Sequence, residues 1–446
     1  MANILYPYPS NLDFSKHRLK NPDTSYYGLP REVKFCKRCV ISNQRPSSDF
    51  EHKNDGKGKK KTITFSQDNL CDACKVFQIK SKIDWKDREQ KLIEICDKYR
   101  RKDGRYDCLI PGSGGKDSFM QAHLLKYKYG MHPLTCTWAP HIYTDWGWKN
   151  HQAWVHAGFD NILFTPNGKV HRLITRLAVE NLFHPFQPFI LGQKNLAPKI
   201  AAQYDIPLIF YGESESDYGN AIEESTTALR DWEYFSNSDP SKIYIGGAPL
   251  SQLDELGLKP VDWEPYLPIN PEKLEEKKIQ VHYLGYYVKW HPQGAYYYAV
   301  ENGNFQSAPE RTAGTFSTYN SIDDRIDDFH YHTTWIKFGI GRATYDASQE
   351  VRNGDLTRQE AVSLIKKYDG EFPSRWADEI FEYLSINPKD FPSASKVFEK
   401  SIFDKSYYDD LSNKFRSPHL WYLDETNKWN LRHKVKDDEK LEEDNA

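Results

Sequence analysis

The stretch YDCLIPGSGGKDSFMQAHLLKYKYG, residues 106–130, decides the fold of this chain. Its apolar run at 108–110 stops at a Pro-Gly-Ser-Gly-Gly turn, and an amphipathic helical pattern begins directly after that turn. The stretch therefore predicts a strand over 106–110, a glycine-rich loop, and a helix over 117–129. Loops of this kind present backbone N–H groups to an anion, and the helix dipole adds positive potential at the same place.

The side chains of the loop suit a phosphate group. The glycines can adopt positive φ and let a phosphate approach the backbone, while the serines, the lysine and the aspartate add hydroxyls, a cation and a carboxylate. The spacing is neither that of a Walker A loop nor that of a dinucleotide-binding G-x-G-x-x-G motif. A plain glycine turn is the alternative, but it would not need Ser, Lys, Asp and Ser in this order. The candidate ligand-binding residues are Pro111, Gly112, Ser113, Gly114, Gly115, Lys116, Asp117 and Ser118.

After the loop, helical and strand patterns alternate as a parallel α/β sheet requires. We expect strands at 133–138, 160–165 and 207–211, and helices near 147–157, 168–182 and 192–204. Ligands of such sheets bind at the carboxyl ends of the strands. The loop at 111–118 and the segment at 212–217 should therefore face one cleft, and Trp138, at the end of its strand, joins the ligand-binding candidates.

The segment at 212–217, Gly-Glu-Ser-Glu-Ser-Asp, places three carboxylates within five residues at a strand end. Carboxylate oxygens suit Mg²⁺, which accompanies nucleotide phosphates. We predict a magnesium site that involves Asp117, with Glu215 or Asp217 as the second ligand, and a catalytic role for Glu213 beside Lys116 and Asp117. A solvated acidic loop is the alternative.

Four of the seven cysteines form two pairs, Cys36-x-x-Cys39 and Cys71-x-x-Cys74. Paired knuckles in a cytosolic chain are typical of a structural zinc site. An iron–sulfur cluster and four unmetallated cysteines are the alternatives. The polar excursion at 51–61, between the pairs, is predicted to end in a solvated hairpin tip, and the basic run at 57–61 suits that tip better than a nucleic-acid patch.

Residues 282–348 are unusually rich in aromatic, His, Asp and Arg residues. The spacing of Asp324, Asp327 and His330 predicts one helix face. Lys337 and Arg342 flank a glycine-rich turn that could take a phosphate or pyrophosphate. Lys337 is our candidate for a late catalytic lysine and Arg342 for a phosphate ligand. A surface network of ion pairs is the alternative for each cluster.

Composition narrows the possible classes of protein. A net charge of −3 gives no basic field for nucleic acid. Neither a membrane-spanning apolar run nor a secretion signal is visible, so we expect a cytoplasmic protein. The expected division is an N-terminal arm at 1–30, a four-cysteine, zinc-ribbon-like module at 31–80, a catalytic α/β domain at 81–350, a helical region at 351–430 and an acidic, disordered tail at 431–446.

Residues 113–118, SGGKDS, resemble the pyrophosphate loop of the N-type ATP pyrophosphatases, which include asparagine, GMP and NAD synthetases and tRNA thiolases. Together with FCKRCV, LCDAC, YGES, the run from ERTAGTFSTYNSIDDRIDDFHY through KFGIGRATYDAS, EVRNGDLTRQEAV and KKYDGEFP, the loop resembles the N-acetyl sugar amidotransferase family, in order from about residue 35 to 375. The resemblance implies an adenine nucleotide alpha hydrolase-like parallel sheet with helices on both faces.

The same resemblance implies an ATP- and Mg²⁺-dependent enzyme that converts a sugar acetamido group to an acetamidino group with release of AMP and pyrophosphate. The sugar would be a UDP-linked diacetamido uronic acid or a nonulosonic acid precursor. Position 2 is alanine, so we expect no N-terminal-nucleophile glutaminase in the chain. The resemblance implies a separate glutaminase, similar to the amidotransferase subunit of imidazole glycerol phosphate synthase, and its barrel partner. The rival interpretations are a tRNA thiolase or lysidine-type enzyme and a non-catalytic zinc-ribbon scaffold.

Overall fold

A parallel sheet of five strands forms the centre of the computed structural model, which describes residues 12–436 apart from the side chain of Glu224. The strand order is β3 (Asp160–Phe164), β2 (Pro133–Trp138), β1 (Cys108–Pro111), β4 (Leu208–Tyr211) and β7 (Gln280–Tyr283), and every neighbouring pair is parallel. This order places the point where the direction of winding reverses between β1 and β4. In open α/β sheets the ligand-binding crevice lies at that point, outside the carboxyl ends of the strands.

The helices and strands have the following bounds. The strands are β1 Cys108–Pro111, β2 Pro133–Trp138, β3 Asp160–Phe164, β4 Leu208–Tyr211, β5 Tyr244–Ile245, β6 Ala248–Pro249, β7 Gln280–Tyr283, β8 Trp421–Leu423 and β9 Trp429–Leu431. The helices are α1 Ser15–Arg18, α2 Asp72–Lys80, α3 Trp85–Tyr99, α4 Lys116–His123, α5 Asp145–His156, α6 Gly168–Leu182, α7 Gln187–Gln203, α8 Pro260–Trp263, α9 Pro271–Glu276, α10 Pro292–Gly303, α11 Asp327–Phe338, α12 Arg342–Asn353, α13 Arg358–Tyr368, α14 Ala377–Leu384 and α15 Lys405–Phe415.

Helices cover both faces of the sheet, as the sequence predicts. On β1, Leu109 points into a core that contains the apolar residues of α6 and α7. Its neighbours Cys108 and Ile110 point the other way, into a second core with α3, α4, α5 and α10. This alternation follows from the two-residue period of a strand, and it explains why the short strands read as continuous apolar runs.

Most elements of the α/β region match their predicted positions, and the differences have local causes. The predicted strand at 133–138 and helix at 168–182 have the observed bounds. Helix α7 begins at Gln187 rather than 192. The proline in its first turn is compatible with a helix, because the N–H group that proline lacks would have no helical partner at that position. The predicted helix at 117–129 is α-helical only to His123 and continues as a wider π-type turn over Leu124–Lys128.

The four-cysteine region packs against the end of the chain. Cys36, Cys39, Cys71 and Cys74 share one hydrophobic cluster with Phe338 and Ile340 and with Leu420 and Trp421 beside and within β8. The expected division into domains stays a prediction, and the acidic tail lies outside the described residues from 437 onward. Among the described residues, no helix has both the length and the apolar character needed to cross a bilayer.

Candidate active site

The glycine-rich loop connects β1 to α4 at the crevice between β1 and β4. Gly115 precedes the first turn of α4 and provides no side-chain cap, so the N–H groups of that turn have no helical carbonyl to bond. Two loop amides are held by the loop's own hydroxyls: Gly114 N–H donates to Ser118 Oγ over 3.2 Å, and Gly115 N–H donates to Ser113 Oγ over 3.3 Å. The loop therefore has the form of an anion cradle.

The centre of the loop has no room for a side chain larger than the hydrogen of glycine. Gly114 has a φ of +87°, and a Cβ there would lie 2.8 Å from His151 Cα and 2.9 Å from the carbonyl oxygen of Asn150. A Cβ on Gly112 would lie 2.3 Å from the Cβ of Ser118. Helix α5 and the start of α4 thus fix the path of the loop, and only glycine fits both positions.

The loop forms one wall of a cavity of about 910 Å³. The segment after β4 lines another wall, so the two predicted segments do face one cleft. The hairpin at 46–60 from the four-cysteine region lines a third wall, where Lys60 pairs with Asp49. The excursion predicted to end in a solvated tip therefore contributes Gly58, Lys59 and Lys60 to the cavity.

A group of acids lies directly around the loop. Asp117 pairs with Lys116 and accepts a 2.8 Å hydrogen bond from Trp290 Nε1. Glu213 accepts a 2.6 Å bond from the Tyr218 hydroxyl, and burial together with the charge of Asp117 raises the pKa of Glu213. Burial likewise raises the pKa of Asp323, which accepts a 2.5 Å bond from Ser113 Oγ. Carboxyl groups crowded in this way favour a cation between them.

The two candidates for the second magnesium ligand differ in position. Glu215 lines the cavity, but its carboxylate already pairs with Arg230 and accepts from the Tyr283 hydroxyl. Asp217 does not line the cavity, and Lys80 Nζ lies 2.6 Å from its Oδ1. The structure therefore corrects the expectation for Asp217, because the short helical turn after Ser214 directs it toward α2.

Lys337 and Arg342 both reach the cavity wall. Lys337 Nζ donates a 2.6 Å bond to the carbonyl oxygen of Leu182, and burial together with the charge of Lys60 lowers the pKa of Lys337 to about 7. Arg342 Nε lies 2.9 Å from Asp346 Oδ1, and its Nη1 donates to the Tyr331 hydroxyl.

The structure corrects two further expectations. Trp138 is buried in the sheet core, where it stacks on Phe164, and it does not line the cavity. The side chain points away because the strand alternation directs position 138 toward α7 and not toward the crevice. Asp324 lies before α11 rather than on it, and binds His141 Nδ1 over 2.7 Å.

Sequence reasoning missed several residues of the cavity. Asp323 and Trp290 touch the loop side chains, although they lie about 170 to 210 positions later in the chain. Arg45 lies between the two cysteine pairs, and Arg230 lies in a region without a recognisable motif; nothing in the sequence assigns either of them to the cavity. The density of charged and aromatic residues over 282–348 was the one available signal, and it covers Trp290 and Asp323 only.

The four paired cysteines meet at one buried point. Their sulfur atoms all lie within 4.8 Å of one another, with 3.7 Å between Cys36 and Cys74 and 3.6 Å between Cys39 and Cys71. Hydrogen bonds from the other three thiols lower the pKa of Cys36. Four buried thiols with this geometry could hold a metal ion, and they are the only such group of three or more ligand residues within the described part of the chain.

The family match concerns the C-terminal part of the chain. Residues 313–436 match the family described as LPS biosynthesis protein WbpG-like, C-terminal domain. That range contains Asp323, Lys337 and Arg342 of the cavity wall. The chain thus carries a domain similar to one of a lipopolysaccharide biosynthesis protein.

Two further comparisons add no functional argument. No curated protein matches the chain. A solved structure, the U34-tRNA thiolase NcsA from Methanococcus maripaludis with its [4Fe-4S] cluster, is 13% identical, with 76% of this chain and 89% of that chain covered and a TM-score of 0.24. A TM-score of this size carries no inference about function.

Proposed function

We propose that this protein is an ATP-dependent enzyme that cleaves ATP between the α- and β-phosphates. The observation that supports this most strongly is the loop of residues 111–118, whose glycines, hydroxyls and uncapped helix terminus line the cavity at the switch point of the sheet. Pyrophosphate release needs positioning and charge stabilisation rather than a protein nucleophile. Lys116 and the N–H groups at the start of α4 would stabilise the departing pyrophosphate.

We propose Asp117 and Glu213 as the carboxylates that hold Mg²⁺, with Glu215 as a more distant contributor. Magnesium is commonly held by one or two carboxylates together with substrate phosphates, so a complete protein cage is not required. When bound, the ion would neutralise charge on the phosphates. Burial and the charge of Asp117 raise the pKa of Glu213, and the second cause supports this assignment, because a cation beside Asp117 would relieve that repulsion.

We propose an N-acetylated sugar of a bacterial surface glycan as the acceptor. The lipopolysaccharide-type domain at 313–436 supports this class of substrate, since it contributes to the cavity wall. The acetamido oxygen would attack the α-phosphate of ATP, with pyrophosphate leaving. Ammonia would then add to the activated carbon, AMP would leave with the original oxygen, and loss of a proton would give the acetamidine. A separate glutaminase with its barrel partner is the proposed source of ammonia.

We propose zinc as the occupant of the four-cysteine centre. A tetrahedral ion with Zn–S bonds of about 2.3 Å holds its sulfurs roughly 3.8 Å apart, close to the observed separations of 3.7 and 3.6 Å. A four-iron cluster is larger and would hold the cysteine sulfurs further apart. Elemental analysis of the purified protein should find one zinc per chain and no iron. Iron with a visible absorption band would contradict the assignment.

The function is tested by AMP and pyrophosphate release from ATP with ammonium chloride as nitrogen donor. The acceptors would be a panel of N-acetylated sugar nucleotides and nonulosonic acids, with bulk tRNA plus a sulfur donor as the competing substrate. We expect sugar-dependent AMP and a product in which one oxygen is replaced by NH. AMP formation only with tRNA and sulfur would overturn the proposal in favour of a thiolase.

Asp117→Asn and Lys116→Met should lower sugar-dependent AMP formation by about 100-fold or more, the size typical for removal of a charge-stabilising group. Asp103→Asn is a matched control, because Asp103 is exposed and pairs only locally with Arg105. Equal activity of Asp117→Asn and the control would show that the loop does not handle the phosphates.

A further inference from the structure

Arg45 is the one cavity arginine without an acidic partner among the described residues. Arg230 pairs with Glu215, and Arg342 lies 2.9 Å from Asp346. Arg45 is 95% buried, being 5% exposed, and neither its Nε nor its Nη1 has a hydrogen-bond partner within residues 12–436. A buried guanidinium without a counter-charge is costly, so its position needs an explanation.

The groups around Arg45 hold it in place but pair it with no carboxylate within residues 12–436, and Cys71 of the four-cysteine centre is close enough to act on its charge. Its guanidinium lies 5.9 Å from the ring centre of Tyr345, within the range of a cation–π contact. The backbone carbonyl of Arg45 accepts a 2.9 Å bond from Ile63 N–H at the base of the hairpin. A Cβ on Gly219, whose φ is +105°, would lie 2.4 Å from Ile63 and 3.6 Å from Arg45 Nη1, so the wall there is closely packed. Burial lowers the pKa of Arg45.

Two aromatic residues, Tyr218 and Trp290, lie between Arg45 and the glycine-rich loop. Gly219 beside it directly follows Tyr218, which donates to Glu213 and contacts Trp290 at a ring separation of 6.0 Å. Trp290 in turn donates to Asp117. A ligand group at Arg45 would therefore be separate from the phosphates at the loop but inside the same cavity.

We propose that Arg45 is an anion subsite for the acceptor substrate and takes a carboxylate or a phosphate of that molecule. Nε and Nη1 are closed off from solvent, so Nη2 is the guanidinium nitrogen that a ligand in the cavity would reach. Its N–H groups can donate a charge-assisted hydrogen bond to a carboxylate or to a phosphate oxygen. That the anion belongs to the acceptor rests on the proposed function. The subsite itself rests on the buried, uncompensated charge in the cavity wall.

The alternative is a structural role, in which Arg45 balances negative charge on the four-cysteine centre. Arg352 is better placed for that role, since its Nη1 lies 3.9 Å from Cys39 Sγ. Arg45 makes no hydrogen bond to any of the four sulfurs within the described structure. The alternative predicts loss of metal from an Arg45 variant, whereas an anion subsite predicts retention of metal.

The test is calorimetric binding to the metal-loaded full chain, with three probes titrated separately. UDP-N-acetylglucosamine carries phosphates and an uncharged sugar, N-acetylneuraminate carries a carboxylate without phosphate, and ATP occupies the loop. Arg45→Met should weaken binding of at least one of the first two probes by about 10- to 100-fold, the value of a charge-assisted bond, and change ATP binding less than about twofold. The probe that weakens identifies the anion as phosphate or carboxylate.

Arg38→Met is the matched control, because Arg38 lies in the same region over the Phe77 ring at 4.9 Å and does not line the cavity. It should leave all three affinities unchanged. The proposal is overturned if Arg45→Met weakens ATP alone, if it loses metal, if neither acceptor probe weakens, or if the wild-type protein binds neither of them.

The melting temperature of Arg45→Met distinguishes loss of the subsite from misfolding as the cause of weak binding. Removing an uncompensated buried charge should leave the melting temperature of the ligand-free protein equal or higher. Arg176→Met should lower it clearly, because Arg176 is fully buried and bonded to Glu180 and to three carbonyl oxygens. A lower melting temperature for Arg45→Met would show an internal partner and overturn the subsite. Absence of turnover with every sugar would instead overturn the proposed function and leave these binding results standing.

Discussion

Lys337 illustrates at the scale of one residue how position changes chemistry. In sequence it is a basic residue beside a glycine turn, a pattern that fits a catalytic lysine and a surface ion pair equally well. In the structure it is buried at the end of α11 and donates to the carbonyl oxygen of Leu182. Its pKa of about 7 means that it gains or loses a proton near neutral pH rather than staying charged.

This shift makes stability depend on pH in a defined direction. Between about pH 7 and the ordinary lysine value of 10.5, the unfolded chain binds a proton at Lys337 that the folded chain does not. The free energy of unfolding should therefore rise with pH across this window, by up to about 1.4 kcal/mol per pH unit from this group. Lys337→Met should remove that part of the slope.

The measurement is urea unfolding at several pH values for the wild type, Lys337→Met and a control variant, Lys169→Met, which removes an exposed lysine paired at 3.4 Å with Asp390. Identical slopes for all three proteins would contradict the assigned pKa.

Residues of the site were predictable where their role is local. The loop at 111–118 could be recognised because its glycines, hydroxyls and helix start are consecutive. Arg45 and Asp323 were not singled out, because contacts with groups far away in the chain bring each of them to the cavity wall. Asp217 was misplaced because the spacing of acids does not reveal which carboxylate a short helical turn directs inward.

At the scale of elements, the strand–loop–helix unit of β1 and α4 depends on the contact of its loop with α5. Alanine substitutions at Gly114 and Gly104 allow the effect of this contact to be measured. Both have positive φ, +87° and +81°, but a Cβ on Gly104 would meet nothing within 4 Å. An alanine at either position should therefore carry the same free-energy cost of positive φ, whereas only an alanine at position 114 should add a steric cost.

Gly104→Ala should cost about 1 kcal/mol of unfolding free energy, the usual penalty for an alanine with positive φ. Gly114→Ala should cost roughly twice that or more, because its Cβ would lie 2.8 Å from the backbone of His151. Urea unfolding of both variants gives the difference. Equal costs would show that the loop can move away from α5 freely.

Predictions of elements succeeded where the sequence pattern was long or led into a recognisable loop motif. The helix at 168–182 carries four turns of periodic apolar residues, and its bounds were predicted correctly. Strand β7 was missed although β1 and β4 are equally short, because no such motif follows Gln280–Tyr283 and its register against β4 arises from tertiary pairing.

At the scale of the whole molecule, the cluster around the four cysteines joins the beginning and the end of the described chain. Trp421 is 1% exposed, packs edge-on against Trp335 at a ring separation of 4.7 Å, and donates from Nε1 to the carbonyl oxygen of Ile336 over 2.8 Å. It connects β8 to α11, which carries cavity residues from His330 to Phe338.

Trp421→Ala should therefore lower the free energy of unfolding by about 3–5 kcal/mol, as for other buried aromatic truncations. It should also speed the transfer of the bound metal to a chelator. Trp148→Ala is the control, since Trp148 is 45% exposed. Chemical unfolding and a colorimetric chelator assay give the two readouts. Unchanged metal release in Trp421→Ala would mean that the cysteine centre is stable without the end of the chain.

The contact between residues 26–44 and residues 415–419 has a consequence for the kinetics of refolding. Tyr26 N–H donates to Ser417 Oγ over 2.9 Å, the Tyr27 hydroxyl donates to the carbonyl oxygen of Phe415 over 2.7 Å, and Gln44 Oε1 lies 3.0 Å from His419 Nε2. These contacts join residues that are 375 to 391 positions apart. Closing so long a loop costs conformational entropy before the contacts can offset it, so contacts of this separation form slowly. The hairpin that lines the cavity should therefore reach its final packing late in refolding.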